Sequence, residues 1–350
     1  MPKPTTRKPT PECNSVARTD EPGLFAALED QGQKRDAYFS ALNKRNQGLI
    51  DGDLAHRSLL IIGAGSVGSG MAETLTRAGI GRLVLVDPDA VEAHNLTRSA
   101  YRACDVGKPK VDALADILKA INPWLRAEAH GSRLEEMPKS VLKTAIESCD
   151  LVICAADDKL TQAKVNRIAV HHKKPLVTVG VYAGARGGEA VMVLPGVTPC
   201  LECTLAGRRF DESRSAGLER ATDYGTGRLK PTVGLGCDIH FVTNAASKLT
   251  LSLLCAMSGT EETQEAGALV LGALSRGENL IIFGMTPDFW FLPDVMGTAA
   301  GQHAFQSVWL KADAGEACSV CGSARTATDP IDEMQGSPNV QAMRDQHVTA

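Results

Sequence analysis

The chain has 350 residues, 43% of them hydrophobic, with a formal net charge of -4 and 10 cysteines. That is enough apolar material for one large core, and the slightly acidic balance gives no general attraction to polyanions, which argues against nucleic acid as the main partner while leaving room for a local basic pocket. No run of 18 apolar residues occurs and the first residues carry prolines and charges where a leader needs an apolar stretch, so the expectation is a cytoplasmic protein with no membrane contact.

Residues 1–25, rich in Pro, Thr, Lys and Arg, read as an N-terminal tail, and 323–350, which lack a sustained apolar period, read as a C-terminal one. The folded domain is then 26–322. Between 24 and 43 the residues Leu24, Phe25, Leu28, Tyr38, Phe39 and Leu42 fit a helix or two. The run SLLIIGAGSVGSGMAETLTRAGIGRLVLVD then reads as strand, glycine turn, helix and a second strand ending at Asp87, a βαβ unit. Gly63, Gly65 and Gly68 form GxGxxG, a turn that lets backbone N–H groups and a helix N-terminus face phosphate. Asp87 sits where a ribose hydroxyl pair is held. Alone, these features indicate a nucleotide, NAD by default, against the plainer alternative of a tight turn that packs a helix on a sheet.

After Lys108 a helical period runs through Val111, Leu114, Leu118 and Ile121 to the stop signal Asn122-Pro123. Further helices are expected at 137–147, 161–172 and 238–257. Strands are expected at 150–155, 175–181 and 187–194, and again in LIIFGMTPDFWFLPDV. The alternation indicates an α/β sheet that is largely parallel at first. The polar, Gly- and Arg-rich stretch 207–230 reads as a long mobile loop.

Four motifs follow the glycine turn within about forty residues: Asp87-Pro-Asp89, Asn95-Leu-Thr-Arg98, Gly107-Lys-Pro-Lys110 and Ile121-Asn-Pro123. Together they resemble the ThiF/MoeB/ubiquitin-activating family, with a likeness that covers about 35–322. The resemblance implies a Rossmann-like three-layer αβα fold with a mixed, largely parallel sheet and a small zinc-bound C-terminal segment. It also implies an adenylyltransferase that uses ATP and Mg²⁺ to activate the C-terminal carboxylate of a small ubiquitin-like or sulfur-carrier protein. The residue types suit that chemistry. A carboxylate attacking an α-phosphate brings two anions together, and Arg98 and Lys110 would offset the charge while Asn95 donates a hydrogen bond. A lone Arg or Lys is more often a solvated surface group.

Asp157 follows DLVICA as the family's magnesium aspartate follows its strand, and Mg²⁺ prefers hard oxygen ligands. The alternative for it is a helix N-cap, which Asp157 or Asp158 can fill. Asp158 and Gln162 stand where the family often has Asn and Arg. Family members pair as homodimers in which an N-terminal arginine crosses to the other subunit's phosphates, a role for Arg35 or, second, Arg45. Cys200-Leu-Glu-Cys203 and Cys318-Ser-Val-Cys321 supply four thiolates. They lie too far apart for a self-contained zinc ribbon, so spacing leaves zinc level with redox or buried thiols. Pro199-Cys200 and Cys321-Gly322 echo the family's two zinc pairs, which implies structural zinc. Cys237, ahead of a helix whose N-terminus would lower a thiol pKa, is the candidate for a thioester, with a small buried residue as the competing reading. The pathway implied is bacterial-type conjugation or sulfur transfer, with a conjugating enzyme as a further partner. The alternatives are a non-catalytic nucleotide-binding scaffold and a relative that adenylates a tRNA nucleoside.

Overall fold

The computed structural model describes residues 30–46, 49–50, 52–205, 234–259, 264–286, 289 and 303–335. Helix α1 (Gln31–Asn43) is capped by Asp30, whose side chain accepts the Gln33 N–H. Strand β1 (Ser58–Ile62) is buried along its whole length, α2 (Ser66–Arg77) follows the glycine turn, and β2 (Arg82–Val86) lies parallel to β1 with Ile62 opposite Val86. Helix α3 (Lys110–Ile121) ends at Asn122, whose φ of -131° is extended, because the residue before a proline is pushed out of the helical region. The chain continues through β3 (Arg126–His130), α4 (Lys139–Ser148), β4 (Leu151–Cys154), α5 (Lys159–His171), β5 (Leu176–Val181) and β6 (Gly187–Val193). After these come α6 (Leu201–Leu205), α7 (Gly236–Ser258), α8 (Gln264–Ser275), β7 (Glu278–Gly284), β8 (Gln306–Lys311) and α9 (Pro330–Gln335).

The eight strands form one sheet in the order β3-β2-β1-β4-β5-β6-β7-β8. Its first five strands are parallel and the last three add antiparallel. Successive strand residues point to opposite faces, and both faces are covered. Leu59, Ile61, Leu83, Leu85 and Ile153 pack with Leu114 of α3, Val242 of α7 and Val270 of α8. Leu60, Ile62, Val84 and Val152 pack with Ile146 of α4, Ile168 of α5 and Ile331 of α9. Burying each such aliphatic side chain contributes roughly 1.5–3 kcal/mol. The result is the expected mixed, three-layer αβα arrangement. Gly267 lets α8 approach α7, since a Cβ there would stand 3.1 Å from the Ala256 backbone.

Several elements lacked a readable signal. The edge strand β3, RAEAH, is only partly buried and holds no β-branched residue, so it has no strand period. Strand β8 is likewise a half-exposed edge, and α8 is apolar nearly all round and lies against α7. Of the C-terminal tail expected from 323 onward, residues 336–350 fall outside the described residues. Residues 323–335 belong to the body, with Ile331 fully buried and α9 tied to α4 and α5 by Lys143–Asp329 at 2.7 Å, Lys139–Asp332 at 2.5 Å and Arg167–Glu333 at 2.6 Å. The expected N-terminal tail, the loop at 207–230 and most of the stretch after Thr286 fall outside the described residues. Among the described residues no helix is long and apolar enough to cross a membrane.

Candidate active site and metal centre

The carboxyl ends of β1, β2 and β4 meet at the glycine turn, the edge at which open α/β sheets bind ligands. The Gly63 N–H donates to the Val86 carbonyl at 2.8 Å and the Ala155 N–H to the Ile62 carbonyl at 2.8 Å. The three motif glycines do different work. Gly63 has φ +92°, and a Cβ on it would stand 2.8 Å from the backbone after β4. A Cβ on Gly68 would lie 1.8 Å from the Gly63 carbonyl oxygen. These two close the turn. Gly65, the N-cap of α2 with no side-chain cap, has nothing within 4 Å of where its Cβ would be. That space lies beside the unsatisfied N–H groups of a helix N-terminus, which favour an anion.

Asp87 is 6% exposed. Its Oδ2 accepts the Ala64 N–H at 2.6 Å and its Oδ1 the Asp89 N–H at 2.9 Å. Burial pushes its carboxyl up, against the pull of Lys110 and these two N–H groups. The Lys110 ammonium lies 2.7 Å from Asp89 and 3.7 Å from Asp87. Asp89 is thus a member of the site that sequence reasoning used only as a motif letter. The i, i+2 spacing would place it on the same side as Asp87 only if the strand ran on past Val86. The other lysine of the GKPK motif, Lys108, is spent 3.2 Å from the fully buried Asp105, which Arg102 also grips at 2.9 Å. A carboxylate with basic residues three positions before and after it is a signal that could have been read.

Asn95 accepts the Glu92 N–H through Oδ1 at 2.8 Å, which leaves its amide nitrogen to donate. Arg98 follows this short turn, and among the described residues its guanidinium reaches back to the His94 carbonyl at 3.2 Å. Helix α7 begins against the same turn: a Cβ on Gly236 would lie 2.6 Å from the Thr97 carbonyl oxygen, and His240 lies 3.3 Å from the Arg98 carbonyl. Cys237 is therefore exposed in the first turn of α7, beside the Arg98 segment, and is not the small buried residue of the competing reading. Asp157 follows β4 and is exposed, while Asp158 fills the N-cap of α5 by accepting the Leu160 and Thr161 N–H groups. Capping thus leaves Asp157 uncommitted. Gln162 donates to the Ala156 carbonyl at 2.8 Å.

Arg35 lies elsewhere. Its guanidinium donates to the Ala55 carbonyl at 3.0 Å and sits 5.5 Å above the Phe39 ring, near the amino end of β1. Arg45 is exposed in the turn after α1.

The two CxxC pairs converge. Cys200 and Cys318 sulfurs are 3.8 Å apart, Cys203 and Cys321 are 3.7 Å apart, and all four lie within 4.8 Å of one another. A tetrahedron with Zn–S bonds of about 2.3 Å has edges of about 3.8 Å, so the sulfur spacing fits that ion. Backbone N–H groups of Gly315 and Val320 point at Cys203 and Cys318 at 3.3 and 3.4 Å, which is the outer support thiolates need. Burial raises the Cys200 thiol, and raises Cys203 to about 11, while Cys318, despite burial, is drawn down to about 7 by the Cys321 and Val320 N–H groups. The set could hold a metal that ties the C-terminal segment to α6.

The ThiF family model matches residues 45–314. The chain belongs to the ThiF family. Among curated relatives it is similar to ubiquitin-like modifier-activating enzyme 5 of Dictyostelium discoideum, 29% identical over 177 residues that make up 47% of this chain and 46% of that protein. It is also similar to the Drosophila virilis protein of the same name, 33% identical over 156 residues, 42% of this chain and 39% of that one. The chain spans about half the length, or less, of the curated relatives it matches. Among solved structures, E. coli MccB with ATP aligns over 83% of this ThiF chain and 73% of its own, at 18% identity and a TM-score of 0.54. PaaA aligns over 83% and 86%, also at 18% and 0.54. At that identity the likeness speaks for the fold.

Proposed function

We propose that this ThiF-family chain adenylates the C-terminal carboxylate of a ubiquitin-like or sulfur-carrier protein with ATP. The observation that carries the reading is the gathering of the open Gly65 turn, Asp87, Lys110 and Asp157 at one sheet edge, with Asn95 and Arg98 on the turn beneath the start of α7. ATP would lie with its phosphates over Gly65 and its ribose on the remaining lone pairs of Asp87. A carboxylate oxygen of the carrier attacks the α-phosphorus, the bond to the bridging oxygen breaks, and pyrophosphate leaves with that oxygen. Arg98 and Lys110 offset the charge that builds on the phosphate, and Asn95 donates to it. Mg²⁺, held by Asp157 and the substrate phosphates, would supply further charge neutralisation. In a second step the Cys237 thiolate attacks the acyl carbon and AMP departs, leaving a thioester. The metal of the four cysteines is proposed to be a structural zinc, and thiolate ligation suits a reducing cytoplasm. A homodimer remains part of the proposal, with exposed Arg45 the better candidate to cross, because Arg35 is engaged at Ala55 and Phe39. A conjugating enzyme would receive the thioester in a bacterial-type pathway.

The test is ATP–pyrophosphate exchange in the presence of an added ubiquitin-like protein. Exchange that requires that protein is expected, and Arg98→Ala should lower it about 100-fold with little change in stability, since removing one charge-stabilising donor costs about 3 kcal/mol in the transition state. Full exchange by Arg98→Ala would contradict the assignment. The second reading, a nucleotide-binding scaffold, is favoured by one observation, the Gln162 amide on the Ala156 carbonyl where the family often has an arginine. ATP uptake without exchange would select it.

A further inference from the structure

Tyr101 lies three residues beyond Arg98 and is 5% exposed. Its hydroxyl donates to the Ala64 carbonyl oxygen at 2.5 Å. On the other side of the same residue, the Ala64 N–H is held by Asp87 at 2.6 Å. Ala64 is therefore clamped at both of its peptide groups. The peptide bonds of the described residues are trans, and in a trans peptide the C=O and the following N–H point in opposite directions. With the Ala64 carbonyl pulled toward Tyr101, the Gly65 N–H must turn away from it, at the one motif glycine with open space beside it. Glycine gives this peptide little intrinsic preference for either orientation, so something else must choose.

We propose that Tyr101 is a positioning residue for the nucleotide, its hydroxyl fixing the Ala64–Gly65 peptide so that the Gly65 N–H faces the phosphates. This rests on the reading that ATP binds at the glycine turn. The tyrosine is itself held independently of any ligand: the Ala100 N–H donates at 3.2 Å to the hydroxyl of Ser69, a fully buried residue in the first turns of α2. Burial, together with Asp87, Asp105 and Asp89, raises the phenol's pKa, so it remains a donor. No other residue reaches the Ala64 carbonyl from that side among the described hydrogen bonds.

Tyr101→Phe keeps the ring and removes only the hydroxyl. A net hydrogen bond of about 0.5–1.5 kcal/mol corresponds to roughly a 2- to 12-fold change in an equilibrium. Calorimetric titration with ATP should show the Kd raised by about that factor. In the adenylation assay KM for ATP should rise while KM for the carrier and kcat stay within about two-fold; a merely structural loss would move all three. Ser69→Ala, which loosens the same segment without touching the hydroxyl, should weaken ATP by a smaller factor and serves if the phenylalanine variant does not fold. Wild-type and Tyr101→Phe proteins that bind ATP equally would overturn the role of Tyr101 and leave the nucleotide reading standing. A wild-type protein that takes up no ATP would overturn both.

Discussion

The glycine turn and the Asp329 region are both dense in charge, yet they use it in opposite ways. Asp329 spends everything it has: Lys143 sits 2.7 Å from Oδ2, and Oδ1 takes the Ile331 N–H at 2.9 Å and His172 at 3.3 Å. His171, His172 and Asp329 lie close enough to hold a metal, but the lysine already occupies the carboxylate. At the glycine turn the capacity is left open. Gly65 faces empty space, Asp157 is released from capping by Asp158, and among the described residues the Arg98 guanidinium donates to the His94 carbonyl of its own turn. Polar groups that satisfy one another hold the fold, while polar groups left unsatisfied near a helix N-terminus await a ligand.

The four-cysteine cluster belongs with the closed class, and loss of the zinc proposed there should produce the largest effect. Structural zinc binds small peptides with roughly 10–16 kcal/mol, so Cys200→Ser should lose the metal and lower Tm by roughly 10 °C or more. Freshly purified wild-type protein should carry one equivalent of zinc per chain. Metal analysis that finds far less would place the cysteines with buried thiols instead.

A pair of glycine substitutions tests the contrast inside one motif. Gly65→Val should fold normally, since its φ of -72° is ordinary and its Cβ meets no protein atom within 4 Å, and should reduce nucleotide affinity beyond detection. Gly68→Val should fail earlier, because its Cβ would press on the Gly63 carbonyl at 1.8 Å, an overpacking that costs about 3 kcal/mol or more. Thermal scans and ATP titration of the two variants separate a ligand-facing glycine from a packing one. Normal ATP binding by Gly65→Val would remove the phosphates from this turn.

The stretch from Ser58 to Pro123 was legible because local signals agree there: buried apolar strands, a glycine turn and a proline stop lie in continuous order. The convergence of Cys200 and Cys203 with Cys318 and Cys321 was not deducible from spacing, since the sheet and α7 intervene; only the family likeness suggested it. Strand β3 was hidden because an edge strand needs no continuous apolar run. Helix α9 was hidden because six residues carry no period, and the buried Pro330 and Ile331 with several ion pairs hold it. The roles of Asp89 and Tyr101 depend on how the chain folds back after β2, which no periodicity encodes.

The smallest expected effect probes the closed region by pH. Burial alone would raise the Asp329 carboxyl, but Lys143, the Ile331 N–H and His172 hold it at about 2, below its ordinary range. A carboxylate with a lowered folded-state pKa contributes stability that is full above about pH 4 and is lost as pH falls through its folded value. Asp329→Asn keeps an acceptor for the Ile331 N–H and removes the charge. Because Lys143 is partly solvated, the loss should be about 1 kcal/mol at neutral pH, a shift of roughly 1–2 °C in Tm for a chain of this length. The gap between variant and wild type should close between about pH 4 and pH 2. A gap that stays constant across that window would mean that packing of Ile331, and not charge, holds α9 to α4 and α5.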